Sequence, residues 1–207
     1  MGRGGRGGDR PQASPTRRPD PPTPPDAGVG RRDARLYRSG TGNFRRPPDA
    51  AGGIAAESAG GGALVAYPDT SFLVSLYGFD VNNEEAARIA ADLGAPLGVT
   101  LLQRHELRNA FRLAVFRKEI TTEQCGAVLS LIDADLETGA LASCTLPWQE
   151  LFREAEALGA VHTEALGVRA MDLLHVAAAR SLGAETFLTF DARQNRLALG
   201  AGLKVLP

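Results

Sequence analysis

MDLLHVAAARSLGAETFLTFD, residues 171 to 191, joins a helical pattern to a short β-like run and carries an Asp close to each end. The apolar residues of its first half recur at helical spacing, and ETFLTF has the branched and aromatic residues that favour strands. Asp172 therefore lies in the first turn of a predicted helix, and Asp191 directly follows a predicted strand. The stretch predicts a helix–strand unit with a carboxylate at each end.

The same alternation of strand and helix patterns extends outward over residues 63 to 207. Strands separated by helices pair in parallel, because a crossover returns the chain to the same edge of the sheet. We therefore expect an α/β fold, a three-layer α/β/α sandwich with a central, mainly parallel sheet, formed by residues 63 to 207 as one domain. The predicted strands are ALVAY (63–67), LGVT (97–100), ALASCTL (140–146), ETFLTF (185–190) and LKVLP (203–207).

The first 60 residues differ in composition from the rest of the chain. They hold 9 of the 13 Pro, 12 of the 24 Gly, and 11 Arg against 6 acidic residues. Such a segment cannot bury enough apolar surface to offset its ordering entropy. We predict that residues 1 to 60 form a disordered Arg/Gly/Pro-rich extension.

Residue usage also indicates the cellular context. The sequence has no 18-residue apolar run and no export signal, so we expect a cytoplasmic protein that does not bind membranes. Cys125 and Cys144 are the two cysteines and form no CxxC pair. We expect both to be buried thiols in a reducing compartment.

Three Asp residues lie where the predicted fold binds ligands. In parallel α/β sheets, ligands bind at the carboxyl ends of the strands. Asp69 follows the strand-like run ALVAYP, Asp191 follows TFLTF, and Asp172 lies in the first turn of its helix. Helix capping is the alternative role for each of them, because Asp is favoured at helix N-termini.

Glu106 is predicted to face inward from the helix LLQRHELRNAFRLAVF. It shares one helical stripe with Leu102, Ala110 and Leu113. A buried charge needs a partner, and because no Lys or Arg lies on that stripe we expect a metal ion supported by other carboxylates. Oxygen-only ligation favours Mg²⁺ or Mn²⁺, and either ion suits phosphodiester hydrolysis.

Four motifs of this chain together resemble the PIN-domain ribonucleases, closely the VapC-like toxins of bacterial type II toxin-antitoxin pairs. The resemblance covers about residues 64 to 207, and the motifs occur in the expected order with the expected strand or helix context. They are PDTS (68–71), HELRNA (105–110), RAMDLLHVAAARSLGA (169–184) and FLTFDARQ (187–194).

The resemblance implies an α/β/α fold that cleaves RNA with a divalent metal, Mg²⁺ or Mn²⁺. It also implies a small cognate antitoxin as partner and a homodimer. Four acidic residues stand at the positions that match the catalytic, metal-holding residues of the family: Asp69, Glu106, Asp172 and Asp191.

Polar residues of the same motifs are predicted to support the acids. His175, three residues after Asp172, is predicted as a packed, hydrogen-bonded core residue, and Trp148 as a core or cap residue. Capping or packing is the alternative role for the four residues that are predicted to hydrogen-bond a carboxylate or a metal-bound water. These four are Thr70, Ser71, Asn109 and Thr189.

The predicted domain is acidic, although RNA binding usually depends on positive charge. Residues 63 to 207 hold 12 basic and 18 acidic residues, and phosphate contacts normally supply much of the affinity for RNA. Arg104, Arg108 and Arg112 form a stripe almost opposite Glu106, which is either a partner-binding face or a solvated one. The weak candidates for contacts with RNA phosphates, with solvation as the alternative, flank the acids: Arg169, Arg193 and Arg196.

Alternative functions remain open at this point. A non-catalytic PIN-like module that binds RNA or protein would not need all four acids. A phosphatase with an aspartyl nucleophile would typically have a second Asp two residues after the first, where this chain has Ser71. RNA binding by residues 1 to 60 alone is the remaining alternative.

Overall fold

The helices and strands of this computed structural model lie between Ala66 and Leu206. Residues 1, 2, 4, 64, 66–78 and 80–207 are described. The elements belong to a compact unit of residues 33 to 207, and a separate unit of residues 1 to 32 is described only at three exposed residues. The disorder predicted for residues 1 to 60 therefore falls outside the described residues, except at those three positions.

Strands alternate with helices along the described chain, and every strand pairing is parallel. Strand β1 pairs with β4, β4 pairs with β5, and β2 pairs with β3. The predicted three-layer α/β/α fold with a mainly parallel sheet is confirmed. The elements are β1 (Ala66–Pro68), α1 (Thr70–Tyr77), α2 (Asn83–Leu93), β2 (Leu97–Thr100), α3 (Leu101–Phe116), α4 (Thr122–Thr138), β3 (Leu141–Cys144), α5 (Trp148–Leu166), α6 (Ala170–Ser181), β4 (Thr186–Leu188), α7 (Ala192–Gly200) and β5 (Lys204–Leu206).

Two hydrophobic cores lie on the opposite faces of the strands. Ala66 and Leu188 belong to the core formed with α1 to α4, whereas Tyr67 and Phe187 belong to the core formed with α5 to α7. This division follows from the period of two, because successive residues of a strand point to opposite faces. The strands are therefore covered by a helix layer on each side.

Gln103 connects β1 to β2, two strands that belong to different hydrogen-bonded groups. Its buried Nε2 donates to the carbonyl oxygen of Pro68 in β1, and also to that of Gly98 in β2 at 3.4 Å. Its Oε1 accepts from the backbone N–H and the hydroxyl of Thr100 at 2.7 and 2.8 Å, which completes a capping box at the start of α3. One side chain therefore fixes α3 against both strands.

The buried face of α3 differs from the predicted one. Gln103, Leu107 and Phe111 are buried, whereas Leu113 is 37% exposed and Glu106 is half-buried at the border. The predicted stripe was therefore rotated by one residue, because Gln103 is a polar residue that occupies a core position.

The arginine stripe of α3 contacts a neighbouring helix. Arg108 binds the two carboxylate oxygens of Asp133 in α4 at 2.6 and 3.2 Å, and Arg104 lies 3.7 Å from the same carboxylate. This part of the stripe is therefore an intramolecular helix–helix contact.

Three smaller predictions have mixed outcomes. Cys125 is buried, as predicted, but Cys144 is only half-buried. Trp148 is 43% exposed, beside Phe152 at a ring-centroid distance of 6.4 Å, and it is not a core residue. In the described part of the chain, every helix is too short or too polar to cross a membrane.

We predict that Gln103→Leu lowers the free energy of unfolding by about 3 kcal/mol, because it leaves buried backbone groups of β1 and Thr100 without partners. Urea denaturation monitored by circular dichroism would measure the change. The matched control is Gln124→Leu, which removes the capping-box glutamine of α4 at a site that does not bridge strands. The control should cost about 1 kcal/mol or less, and equal losses in the two variants would contradict the bridging role.

Candidate functional site

Asp69 is a fully buried carboxylate at the carboxyl end of β1. Its Oδ1 accepts hydrogen bonds from the backbone N–H of Phe72 and from Ser71 Oγ, both at 2.8 Å. Its Oδ2 accepts from Thr189 Oγ1 at 2.6 Å and from Ser71 Oγ at 3.0 Å. Desolvation raises the pKa of Asp69, and the hydroxyl and backbone donors offset only part of that rise.

The end of β4 lies beside Asp69 because β1 and β4 are neighbours in the sheet. Thr189 Oγ1 donates to Asp69 and accepts from the backbone N–H of Asp191 at 3.0 Å. Ser71 Oγ accepts from the backbone N–H of Phe190 at 3.0 Å. Two hydroxyl groups thus join the two strand ends, and they hold the backbone of Asp191 close to Asp69.

Asp191 caps helix α7 and is half-buried. Its Oδ1 accepts from the backbone N–H groups of Arg193 and Gln194 at 2.7 and 3.2 Å. Among the described residues, none donates a hydrogen bond to its Oδ2. The carboxylate is thus oriented through one oxygen and keeps the second available.

Glu106 projects from α3 and contacts residues of two other helices. Its Oε2 lies 2.5 Å from His175 Nε2 of α6 and accepts a hydrogen bond from Thr70 Oγ1 of α1 at 2.7 Å. Burial raises the pKa of Glu106, but the His175 and Thr70 contacts outweigh it and hold the pKa below its usual value. The carboxylate therefore has a partner in the protein, His175 on another helix, although no Lys or Arg lies on its own helical stripe.

His175 is buried and hydrogen-bonded at both ring nitrogens, as the sequence predicts for a core histidine. Its Nδ1 lies 3.1 Å from the hydroxyl of Tyr67 in β1, and its Nε2 lies 3.3 Å from Thr70 Oγ1 in addition to Glu106. Sequence analysis missed Tyr67, since a Tyr within a strand-like run reads as ordinary core and its contact is 108 residues away.

Asp172 occupies the first turn of α6, one turn before His175, and is 8% exposed. Its Oδ2 accepts from the backbone N–H of Arg169 at 2.8 Å. The helix start is therefore capped by the predicted site residue itself. No described residue donates a hydrogen bond to the other carboxylate oxygen.

The remaining predicted residues lie around these acids with few contacts of their own. Asn109 is exposed, and its side chain makes no hydrogen bond with another described residue. Arg169 and Arg196 are exposed and Arg193 is half-buried, and none of the three forms an ion pair with another described residue. A surface cleft of about 520 Å³ begins at Asp191 and is lined in part by Arg196.

The four acids suit a hard cation by donor type, because all their ligating atoms are oxygens. Glu106, Asp172 and Asp191 each keep one oxygen without a hydrogen bond from the described residues, whereas both oxygens of Asp69 are occupied. Within the described part of the chain, no three His, Cys, Asp or Glu side chains are grouped as a metal site. A metal ion would therefore require side-chain rotation, including exchange of a hydrogen bond at Asp69.

Comparison with known proteins gives one family match. A model of the PIN domain matches residues 66 to 199. No curated protein matches the chain. Among solved structures, FitAcB from Neisseria gonorrhoeae is similar with a TM-score of 0.47 and 15% sequence identity, over 69% of this chain and 97% of that chain.

We predict that Thr189→Val lowers the free energy of unfolding of the metal-free protein by about 2 kcal/mol, because buried Asp69 loses a donor and the Asp191 N–H loses its acceptor while the side chain keeps its shape. Urea denaturation in EDTA would measure this change. Thr186→Val, three residues earlier in β4, is the matched control, because its hydroxyl makes no hydrogen bond with a described residue. A loss of the same size in the control would show that the Asp69 contact contributes little.

Proposed function

Because this chain belongs to the PIN-domain family, whose members are generally nucleases, we propose that it is a ribonuclease that hydrolyses RNA phosphodiester bonds with Mg²⁺ or Mn²⁺. We further propose that it is the toxin of a toxin-antitoxin pair. The resemblance of its four motifs to VapC-like toxins supports the second step.

The observation that carries the proposal is the fully buried, ionisable Asp69 at the carboxyl edge of the strands. A carboxylate that only capped a helix would do so at the surface without the cost of desolvation. Here Asp69 is buried beside the end of β4, and the adjacent Thr70 contacts Glu106. A buried carboxylate with a shifted pKa is typical of a functional site.

The residues proposed to hold the metal are Asp69, Glu106, Asp172 and Asp191. When bound, Mg²⁺ supplies an activated water and stabilises the charge that develops on the phosphate. Hydrogen bonds hold one oxygen of three of these carboxylates: backbone N–H groups contact Asp172 and Asp191, and Thr70 and His175 contact Glu106. Each of these three thereby presents one oxygen, and Asp69 must exchange a donor to join them.

RNA is proposed to approach along the cleft beside Asp191. Arg196 lines that cleft, and the backbone N–H groups of Arg193 and Arg169 donate to Asp191 and Asp172. None of these arginines is paired with an acid among the described residues, so their charge is available to phosphate groups. Thr70, Ser71 and Thr189 support the acids through the hydrogen bonds described above, whereas the proposed role of Asn109 rests on sequence alone.

The proposal extends to organisation and partners. Residues 63 to 207 form the proposed nuclease domain, and residues 1 to 60 a disordered extension. A small cognate antitoxin and a second copy of the chain are the proposed partners, both from the family resemblance. The cytoplasmic location stays a prediction from sequence.

A non-catalytic PIN-like module that binds RNA or protein is the second candidate. Its support is that Asp172 and Asp191 both accept backbone N–H groups at helix starts, and that no three His, Cys, Asp or Glu side chains of the described residues are grouped as a metal site. The two candidate functions predict different effects of removing one carboxylate: a nuclease loses RNA cleavage, whereas a binding module has no cleavage to lose.

We predict that Asp172→Asn lowers metal-dependent RNA cleavage by about 100-fold or more, because it removes a ligand charge at nearly constant shape; loss of a supporting contact costs 10- to 100-fold. Cleavage of a labelled RNA by the purified protein would measure it. Asp133→Asn, which alters a surface ion pair with Arg108, is the matched control and should keep wild-type cleavage. Full cleavage by the Asp172 variant would refute the site, and no cleavage by the wild type would favour the binding module.

We predict that Asp191→Asn reduces the rise in melting temperature caused by Mg²⁺. An ion that binds only the folded state stabilises it by about 2.7 kcal/mol at a hundredfold excess over Kd. Without metal, the variant should be as stable as the wild type or slightly more so, because Asn caps helices comparably well and the carboxylates repel one another less. Thermal melts of the wild type and the variant, each in EDTA and in Mg²⁺, would measure the Mg²⁺-induced change in melting temperature, with Asp133→Asn as control. An unchanged Mg²⁺ response would remove Asp191 from the site.

A further inference from the structure

We propose that His175 is a positioning residue that holds Glu106 for metal binding, and that the Tyr67 hydroxyl fixes the orientation of its imidazole ring. The inference rests on the proposed function, because it assigns a task to a residue outside the four acids. His175 is 2% exposed and hydrogen-bonds to one of those acids, Glu106.

The contact between His175 and Glu106 joins the two helix layers. Glu106 lies on α3, whose buried residues belong to the core with α1, α2 and α4. His175 lies on α6, which belongs to the core with α5 and α7. Their 2.5 Å contact therefore crosses the edge of the strands, and it links Glu106 to the helix that carries Asp172 one turn earlier.

The neighbours of the ring assign a proton to Nε2. Thr70 Oγ1 donates its single hydrogen to Glu106, so it can only accept from His175. Glu106 is likewise an acceptor at neutral pH. Nε2 therefore faces two acceptors and carries the hydrogen, whereas Nδ1 faces the Tyr67 hydroxyl at 3.1 Å, which can donate. An imidazole ring whose Nε2 donates and whose Nδ1 accepts satisfies every contact.

Glu106 is left with one oriented and one available oxygen. His175 and Thr70 both contact Oε2, and no described residue donates to Oε1. Carboxylates that bind metals are commonly held by such outer hydrogen bonds, and loss of an outer partner costs about 10- to 100-fold in metal affinity or activity. Packing alone does not explain the histidine, because an apolar side chain would fill the same space without a buried polar ring.

Two substitutions of His175 separate the hydrogen bond from the packing. His175→Leu removes the N–H donor, whereas His175→Gln keeps a donor that can reach Glu106. Tyr67→Phe removes the hydroxyl contact with Nδ1 and keeps the ring that stacks on Phe187 at 5.8 Å. His162→Leu, which removes a half-buried histidine of α5, is the matched control.

The primary readout is the Mg²⁺ concentration at the midpoint of the rise in melting temperature, measured on the full chain. We expect His175→Leu to raise this midpoint about 10- to 100-fold, His175→Gln to recover most of the loss, and His162→Leu to match the wild type. In RNA cleavage, kcat should fall in the same order with little change in KM. Tyr67→Phe should raise the midpoint about 2- to 10-fold, the equivalent of one net hydrogen bond. If His175→Leu does not fold, the midpoint of Tyr67→Phe tests the positioning role instead.

The outcomes separate this inference from the proposed function. If the wild type cleaves RNA and the folded His175 variants keep its Mg²⁺ midpoint, or if Leu and Gln are equally harmful, the inference is overturned and the function stands. If the wild type does not cleave RNA but His175→Leu still raises the midpoint, the function fails and the positioning role stands. A wild type whose melting temperature does not respond to Mg²⁺ or Mn²⁺ overturns both.

Discussion

The constraint on which this structure depends is the burial of a carboxylate where parallel strands end. Asp69 is removed from water, so its oxygens need donors from the protein, and three donor groups supply them: the backbone N–H of Phe72 and the hydroxyls of Ser71 and Thr189. Those donors come from the first turn of α1 and from Thr189 after β4. The parallel pairing of β1 with β4 is what brings the two segments together, so the strand order and the site are set by the same contacts.

The roles of cap and of site residue are compatible in this chain, although the sequence presents them as alternatives. Asp69, Asp172 and Asp191 all accept backbone N–H groups at the start of a helix. A carboxylate has two oxygens, and in Asp172 and Asp191 the cap uses one of them. The cap therefore limits rotation of the side chain and leaves the second oxygen without a protein donor among the described residues. Observation of a cap does not decide against a ligand role.

Local patterns predicted the fold and the strand-end acids because the signals lie within a few residues of each other. Asp69 and Asp191 could be placed from the strands that precede them. The contacts of Glu106 could not be predicted, because its partner His175 is 69 residues further along the chain and its neighbour Gln103 hides the true buried face of α3. Because Gln103 is polar, the apolar pattern of α3 predicts a buried face that is one residue away from the observed one. The hydrogen bonds of Gln103 to β1 and β2 explain why this polar side chain is buried.

The distribution of charge bears on how an acidic domain would bind RNA. Some arginines form ion pairs with acids of other helices: Arg108 with Asp133, and Arg180 with Glu154. The arginines next to Asp172 and Asp191 make no such pair among the described residues. Affinity for a phosphate depends on the charges within about a Debye length, roughly 8 Å at physiological salt, rather than on the net charge of the whole domain. For the proposed RNA substrate, unpaired arginines beside the carboxylates would attract the phosphate backbone, whereas the rest of the acidic surface would repel it.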